Sequence, residues 1–245
     1  MTSQDSPSPA GSHRPRRRGA VELLRCGVSW FSPRHLLVAL VLLFVATPFI
    51  DRPPYGELVE TLAVTLVLLG AMLAVGGNAR TLITGAVLVA PAVAARWIEH
   101  YMPGVLPPFS GSGFSVLFLG FVAYQLLRFV LRSPEVTGDV VAASMSTYLL
   151  LGLMWAAAYV FAEGRHPGSF ALFGTPMTTF TWLDGYYFSF ITLISIGYGD
   201  MTPLTRTTQM LAIVEGMAGM FFLVTVIARL VGHYAPNGSR KQQSQ

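Results

Sequence analysis

Six long apolar segments dominate the chain, each close to the roughly twenty residues that cross a bilayer. The segments are 33–50, 58–75, 82–97, 114–131, 140–161 and 207–231. Of the 245 residues, 53% are hydrophobic and only 11% are charged, against roughly a quarter charged in a soluble domain. The mean hydropathy is +0.55. The sequence therefore predicts an all-α membrane protein with six transmembrane helices.

A seventh apolar stretch, residues 182–193, lies in the connection between the fifth and sixth segments. It is too short to cross a bilayer, so we expect a re-entrant helix that enters the membrane and stops. The residues before it, 162–180, contain several glycines and prolines, and this composition predicts an irregular turret. The fold prediction is thus six spans with a re-entrant helix and loop between helices 5 and 6.

The basic residues predict the orientation of these helices. With the N-terminus in the cytoplasm, twelve of the 16 Lys and Arg residues face the cytoplasm. The other four, on the outer side, are Arg52, Arg96, Arg165 and Arg206. This distribution follows the positive-inside rule and predicts that both termini are cytoplasmic.

Four regions follow from this pattern. Residues 1–32 are rich in Ser, Pro and Arg and predict a disordered basic cytoplasmic tail, which holds the terminus inside or binds acidic lipid headgroups; we favour the first role. We expect a four-helix peripheral bundle at 33–132, a pore domain at 139–232 and a polar cytoplasmic tail at 233–245. The net charge of +4 requires no nucleic acid, and a single cysteine excludes an intrachain disulfide.

Directly after the short helix, two glycines alternate with other residues in Ser195-Ile196-Gly197-Tyr198-Gly199-Asp200. Gly197 and Gly199 can adopt backbone angles that are denied to other residues, so that successive carbonyl groups can point the same way. Rings of such carbonyls replace the hydration shell of a cation in a selectivity filter. The segment, in this hydropathy pattern, resembles the signature of tetrameric potassium channels.

The resemblance covers about 140–232 and is to the two-helix pore domain within a six-helix, voltage-gated-like architecture. It implies a homotetramer in a lipid bilayer that conducts K⁺ passively and needs no cofactor. The K⁺ ions would be coordinated by backbone oxygens of Ser195, Ile196, Gly197 and Tyr198, with Gly199 completing the filter. The sequence departs from the common family pattern at Ile194 and Ser195, where a Thr-Thr pair is usual, and at Ile196, where Val is usual.

By the same resemblance, Asp200 supports the filter from behind by bonding an aromatic residue of the re-entrant helix. Trp182, Tyr186 and Tyr187 are available, and Tyr187 occupies the position where family members often carry tryptophan. The alternative is that Asp200 caps a turn in solvent.

Glu215 lies about two turns into the sixth segment. A carboxyl group inside a membrane span is costly and indicates a functional position. It either faces the permeation path or forms a hydrogen bond at the base of the re-entrant helix, and we prefer the second role. Gly216 and Gly219 lie nearby; the resemblance makes Gly219 a candidate gating hinge, whereas close helix packing explains both glycines equally well.

The fourth segment lacks the regularly spaced arginines of a voltage sensor. Its only arginines, Arg128 and Arg132, lie at the inner end, so we do not expect steep voltage dependence. Spans 1–4 are then interpreted as a bundle that docks against the pore. Arg96, Glu99 and His100 could form a cluster at the outer interface, although a solvated rim explains them more simply.

Two other functions are alternatives to a potassium channel. A weakly selective monovalent cation channel is the nearer alternative. The remote one is an intramembrane protease of the Gly-x-Gly-Asp type, which needs a second aspartate facing the first. Asp51, Asp139 and Asp184 all lie near predicted helix ends, so we expect no enzyme activity. The compact design favours a bacterial plasma membrane, and the sequence leaves the gating stimulus and any regulatory partner open.

Overall fold

The computed structural model describes residues 33–50, 56–74, 79–102, 105 and 110–234. The predicted basic tail at 1–32 and nearly all of the predicted polar tail at 233–245 lie outside the described residues.

Within this part of the chain, seven helices and three short strands form. The helices are α1 (Pro33–Ile50), α2 (Gly56–Ala74), α3 (Ala79–Tyr101), α4 (Ser110–Arg132), α5 (Gly138–Arg165), α6 (Trp182–Leu193) and α7 (Arg206–Tyr234). The strands are β1 (Phe170–Leu172), β2 (Thr175–Pro176) and β3 (Met201–Pro203).

Each predicted apolar segment is helical over its described residues, and α1 and α6 have the predicted ends. Four apolar stretches are long enough to cross a membrane among the described residues: Thr81–Ile98, Ser110–Arg132, Gly138–Arg165 and Arg206–Arg229. The mostly helical fold with membrane-capable helices is therefore confirmed. Six crossings stay a prediction.

Hydroxyl residues inside these apolar helices satisfy their own polar groups. The side chains of Ser115, Ser144 and Thr147 donate to the carbonyl oxygens four residues earlier, at 2.8, 2.8 and 2.7 Å. Such local bonds let a hydroxyl lie in an apolar environment without a partner from another helix. These residues therefore need no functional explanation.

A continuous apolar core joins α1–α5 and reaches α6. It includes Leu36, Leu68, Phe118 and Leu150, and it also contains Phe190 of α6. Small residues let α4 approach α5 closely: a Cβ at Gly120 would lie 3.2 Å from Met154 Sδ.

A second apolar cluster lies between α5, α6 and the strands. Its rings include Tyr159, Phe170, Phe180 and Phe188, and Phe170 stacks on Phe180 with a centroid distance of 4.6 Å. Helix α6 thus lies between two cores, one shared with α1–α5 and one shared with the strands.

The strands correct the prediction of an irregular turret and add one small sheet to the mostly helical fold. They form one antiparallel sheet in the order β2-β1-β3. The turn between β1 and β2 consists of Phe173 and Gly174, which both have positive φ (48° and 78°). Two positive φ values match the primed turn that closes a two-residue hairpin. Composition alone predicted irregularity because it does not reveal this pairing.

Candidate functional site

Helix α6 begins with a capping box. The Thr181 side chain accepts a hydrogen bond from the Asp184 backbone N–H (3.3 Å), and the Thr181 N–H donates to Asp184 Oδ2 (2.7 Å). This reciprocal arrangement satisfies two N–H groups that have no partner within the helix. The negative charge of Asp184 also complements the positive end of the helix dipole. The start of α6 is therefore fixed by its own sequence.

The residues that follow α6, 195–200, are the signature segment. Its first N–H groups are tied to the last turn of α6. Ser195 N–H donates to the Thr192 carbonyl (2.9 Å), and the N–H groups of Ile196 and Gly197 donate to the Ile191 carbonyl (2.9 and 3.2 Å). The position of the segment therefore depends on the position of the last turn of α6.

The backbone of the signature segment alternates in conformation. Ser195, Gly197 and Gly199 have positive φ values of 61°, 51° and 77°. Among the described residues, none donates a hydrogen bond to the carbonyl oxygens of residues 195–198, and all of these residues are exposed. A row of carbonyls without partners is available for a cation. Ser195 is the unusual member, because positive φ is rare for a residue with a side chain.

Asp200 follows this row and forms the hydrogen bond that the resemblance implies. Tyr187 Oη donates to Asp200 Oδ2 at 2.6 Å. This bond holds the pKa of Asp200 below its usual value, because it stabilises the ionised carboxylate. The structure brings Tyr187 and Asp200 together but leaves Trp182 at the other end of α6. There the Arg96 guanidinium lies 5.2 Å from the centroid of the Trp182 ring.

The sheet holds the far end of the signature segment. Strand β3 follows Asp200 directly and pairs with β1, and the Phe173 N–H donates to the Asp200 carbonyl (2.7 Å). The buried carboxyl of Glu163, at the end of α5, accepts the N–H groups of Gly168 (2.6 Å) and Ser169 (2.8 Å) just before β1. The segment is therefore anchored at both ends.

Glu215 lies on α7 and is fully buried, with an exposure of 0%. Tyr159 Oη of α5 donates to Glu215 Oε2 at 2.5 Å. Ser189 Oγ of α6 lies 2.5 Å from Glu215 Oε1 and 2.8 Å from the Gly152 carbonyl oxygen of α5. Of the two roles considered for Glu215, this geometry corresponds to hydrogen bonding with α6, and it joins α5, α6 and α7 at one point.

Gly219 lies where α7 approaches the end of α6. A Cβ at Gly219 would lie 2.6 Å from the Leu193 carbonyl oxygen, which also accepts a hydrogen bond from Tyr148 Oη (3.1 Å). A Cβ at Gly216 would have nothing within 4 Å. The contact gives Gly219 a packing reason to lack a side chain, and its role as a hinge stays a prediction.

Because only Gly219 touches the backbone of α6, we expect different effects on stability from two matched substitutions. We expect Gly219→Ala to destabilise the protein by about 1–3 kcal/mol, because the new methyl group pushes against the backbone of α6. Gly216→Ala, one turn away in the same helix, should cost little, since the site is open. Thermal unfolding of both variants in detergent measures this, and an equal loss in both would exclude the packing explanation.

The sequence did not identify three partners in this site: Tyr159, Ser189 and Gly152. Ser189 carried a weak signal as a hydroxyl within the apolar run of α6. Tyr159 and Gly152 carried none, because aromatic and small residues are ordinary in membrane helices. Their roles depend on which helices are neighbours.

Comparison with known proteins agrees with this geometry. Residues 147–234 match a family described as "Ion channel". Two-pore potassium channel 4 of Arabidopsis thaliana is 36% identical over 105 residues, which are 41% of this chain and 36% of that protein. Two-pore potassium channel 5 of the same plant is 31% identical over 86 residues, 35% of this chain and 18% of that protein. The chain thus spans about a third or less of these relatives.

No solved structure gives a significant match. The matched region begins within α5 and includes α6, the signature segment and α7, so it coincides with the site described above. The family match and the apolar helices together support a multi-pass membrane protein with an ion-channel pore region.

Proposed function

We propose that this protein is a potassium-selective channel that conducts K⁺ passively across a plasma membrane as a homotetramer. The observation that carries the proposal is the signature segment: its first N–H groups are bonded back to α6, while the carbonyls of residues 195–198 have no partner among the described residues. Potassium is supported by the tyrosine-bearing Gly197-Tyr198-Gly199 and by the printed names of the two relatives.

The site residues take the roles that the resemblance implies. The carbonyl oxygens of Ser195, Ile196, Gly197 and Tyr198 coordinate successive K⁺ ions, and Gly199 completes the filter. The C-terminal end of α6 adds the negative end of its dipole near Leu193, which favours a cation at the inner mouth. Tyr187 and Asp200 support this filter from behind.

Four copies are needed because one chain supplies only one line of oxygens. The surface of α7 supports such an assembly: large apolar side chains along it are exposed in the single chain, among them Ile213, Met217, Met220 and Phe221. Ile196 and Tyr198 of the filter are also exposed, by 50% and 70%. Extended apolar surfaces of this kind are covered by other copies or by lipid.

The proposal includes six membrane crossings, cytoplasmic termini and little voltage dependence. The helix α4 contains Arg128 and Arg132 only near its C-terminal end, where both are exposed. Little charge therefore crosses the membrane field when this helix moves.

A weakly selective cation channel is the second candidate, and the backbone at Ser195 favours it. This residue combines positive φ with a side chain, and Ile194 before it is 51% exposed. The strain of that conformation lies at the innermost oxygens of the filter, and a backbone that relaxes there would shift them.

The aspartyl protease is not supported by the positions of its candidate partners. Asp139 forms an ion pair with Arg34 at the start of α5 (2.7 Å), and Asp184 caps α6. Asp51 lies outside the described residues. Two aspartates that face each other are the requirement of that chemistry.

The test is cation flux through the purified protein in liposomes, with the oligomeric state measured by native mass spectrometry. We expect a tetramer and K⁺ flux that exceeds Na⁺ flux under equal gradients. Equal flux of the two ions from a tetramer would favour the weakly selective channel. A monomer without flux would contradict both channel proposals.

A further inference from the structure

One face of α6 carries an aromatic residue every four positions, at Trp182, Tyr186 and Phe190. This spacing places the three side chains in one row along the helix. The row packs against the core of α1–α5. The three residues after Tyr186 have other partners. Tyr187 bonds Asp200, Phe188 packs in the second apolar cluster, and Ser189 contacts Glu215.

Phe44 of α1 is the side chain that meets this row at its filter end. Its ring centroid lies 4.9 Å from that of Tyr186 and 4.6 Å from that of Phe190, with the Phe190 ring edge-on at 80°. Tyr186 and Phe190 are themselves 4.9 Å apart. Three rings in mutual contact at these distances make an attractive cluster.

Gly152 of α5 closes the opposite side of Phe190. A Cβ at position 152 would lie only 2.2 Å from Phe190 Cζ, so the ring lies directly against the α5 backbone. Phe190 is therefore held between α5 and α1. Phe44 supplies a ring from α1 against this side chain, in addition to the ring of Tyr186 in α6 itself.

Phe190 and the residue after it are linked to Ile194 and to the start of the signature segment by backbone hydrogen bonds. The Phe190 carbonyl accepts the Ile194 N–H (3.1 Å), and the next carbonyl, of Ile191, accepts the N–H groups of Ile196 and Gly197. Phe44 also lines a cavity of about 470 Å³ that extends along α6 to Ile191. Loss of the Phe44 ring would enlarge this space and loosen the last turn of α6.

We propose that α1 positions the filter, with Phe44 as the positioning residue that holds the last turn of α6 against α5. This gives the peripheral helices a role in ion discrimination without a voltage sensor. The part of the inference that concerns ion discrimination rests on the proposed channel function. The structural part, that Phe44 restrains the backbone of the signature segment, does not.

The experiment compares Phe44→Ala with Val45→Ala in the full chain reconstituted in liposomes. Val45 is the next residue of the same helix and is 61% exposed, so its truncation also shortens an apolar side chain of α1 but on the exposed face. Two quantities are measured: hydrogen exchange of the amides of residues 194–197, and the ratio of K⁺ to Na⁺ flux.

We expect exchange in Phe44→Ala to be about tenfold faster than in the wild type, because an aromatic cluster is lost where the segment is held. The ratio of K⁺ to Na⁺ flux should fall severalfold. Val45→Ala should match the wild type in both quantities. Phe44→Leu, which keeps much of the volume but loses the ring, should give intermediate exchange and provides a second variant if Phe44→Ala does not fold.

Unchanged exchange in a folded Phe44→Ala or Phe44→Leu protein would overturn the inference, and so would equal acceleration by Val45→Ala. A wild-type protein without K⁺ preference would instead contradict the proposed function. The exchange comparison still decides the role of Phe44 in that case.

Discussion

Gly197→Ala should abolish K⁺ flux while leaving the chain folded. Gly197 has a φ of +51°, and a Cβ at this position would meet nothing within 4 Å. The substitution therefore adds no clash within the chain and costs the strain of a left-handed conformation, about 1–2 kcal/mol. That strain is relieved by rotating the backbone, which turns carbonyls away from the ion path. In the proposed tetramer, four copies of the change would remove a complete ring of oxygens.

Gly174→Ala is the matched control. Gly174 also has positive φ (+78°) and open space around its Cβ position, but it lies in the turn between β1 and β2. Its backbone strain is similar and falls outside the signature segment. We expect Gly174→Ala to keep K⁺ flux and to lower the unfolding temperature about as much as Gly197→Ala.

Both variants are compared by liposome flux and thermal unfolding, at equal tetramer content. Loss of flux in both variants to the same extent would mean that strain anywhere in the outer loops inactivates the protein. Full K⁺-selective flux in Gly197→Ala would contradict the assignment of residues 195–198 as the filter.

The helices could be predicted from sequence because their determinants are local. Residues 182–193 were predicted as a short helix from their apolar run, and the structure has the same ends, because Thr181 and Asp184 cap the start and the backbone becomes left-handed at Ser195. The ends of the longer helices differ from the prediction by a few residues, because polar flanking residues continue the helix beyond the apolar run.

The sheet and the partners of Glu215 could not be predicted, because both depend on residues distant in sequence. Strand β1 pairs with β3 across the whole of α6 and the signature segment. Glu215 meets Ser189 and Tyr159, which are 26 and 56 positions away. Sequence alone therefore left two orientations open for Glu215, and the packing of α7 against α6 and α5 distinguishes them.

Glu215→Ala should destabilise the protein strongly, whereas Glu215→Gln should be nearly neutral. The alanine leaves the hydroxyl of Tyr159 buried without its acceptor and opens a cavity, at a combined cost of about 3 kcal/mol or more. The glutamine keeps the volume and supplies one acceptor for Tyr159 and one donor for Ser189. Thermal unfolding in detergent measures both changes.

We expect glutamine to be tolerated at position 215 because the Ser189 hydroxyl has fewer protons than it has neighbouring acceptors. Ser189 has one hydroxyl proton but lies within hydrogen-bond distance of two acceptors, Glu215 Oε1 and the Gly152 carbonyl oxygen. Both contacts are satisfied when Glu215 is protonated and donates to Ser189, which then donates to Gly152. A neutral acid also avoids the cost of a charge inside a membrane helix. The glutamine amide reproduces this pattern of donors and acceptors.

Tyr159→Phe and Ser189→Ala serve as controls, because each removes one hydrogen bond of Glu215 with little change in volume, and Ser189→Ala also removes the bond to the Gly152 carbonyl. Each should cost less than Glu215→Ala, about 1–2 kcal/mol. In the double variant Tyr159→Phe/Glu215→Ala the two losses should be far from additive, since both remove the same bond. If Glu215→Gln were as destabilising as Glu215→Ala, the site would require a negative charge, and the protonated arrangement would be wrong.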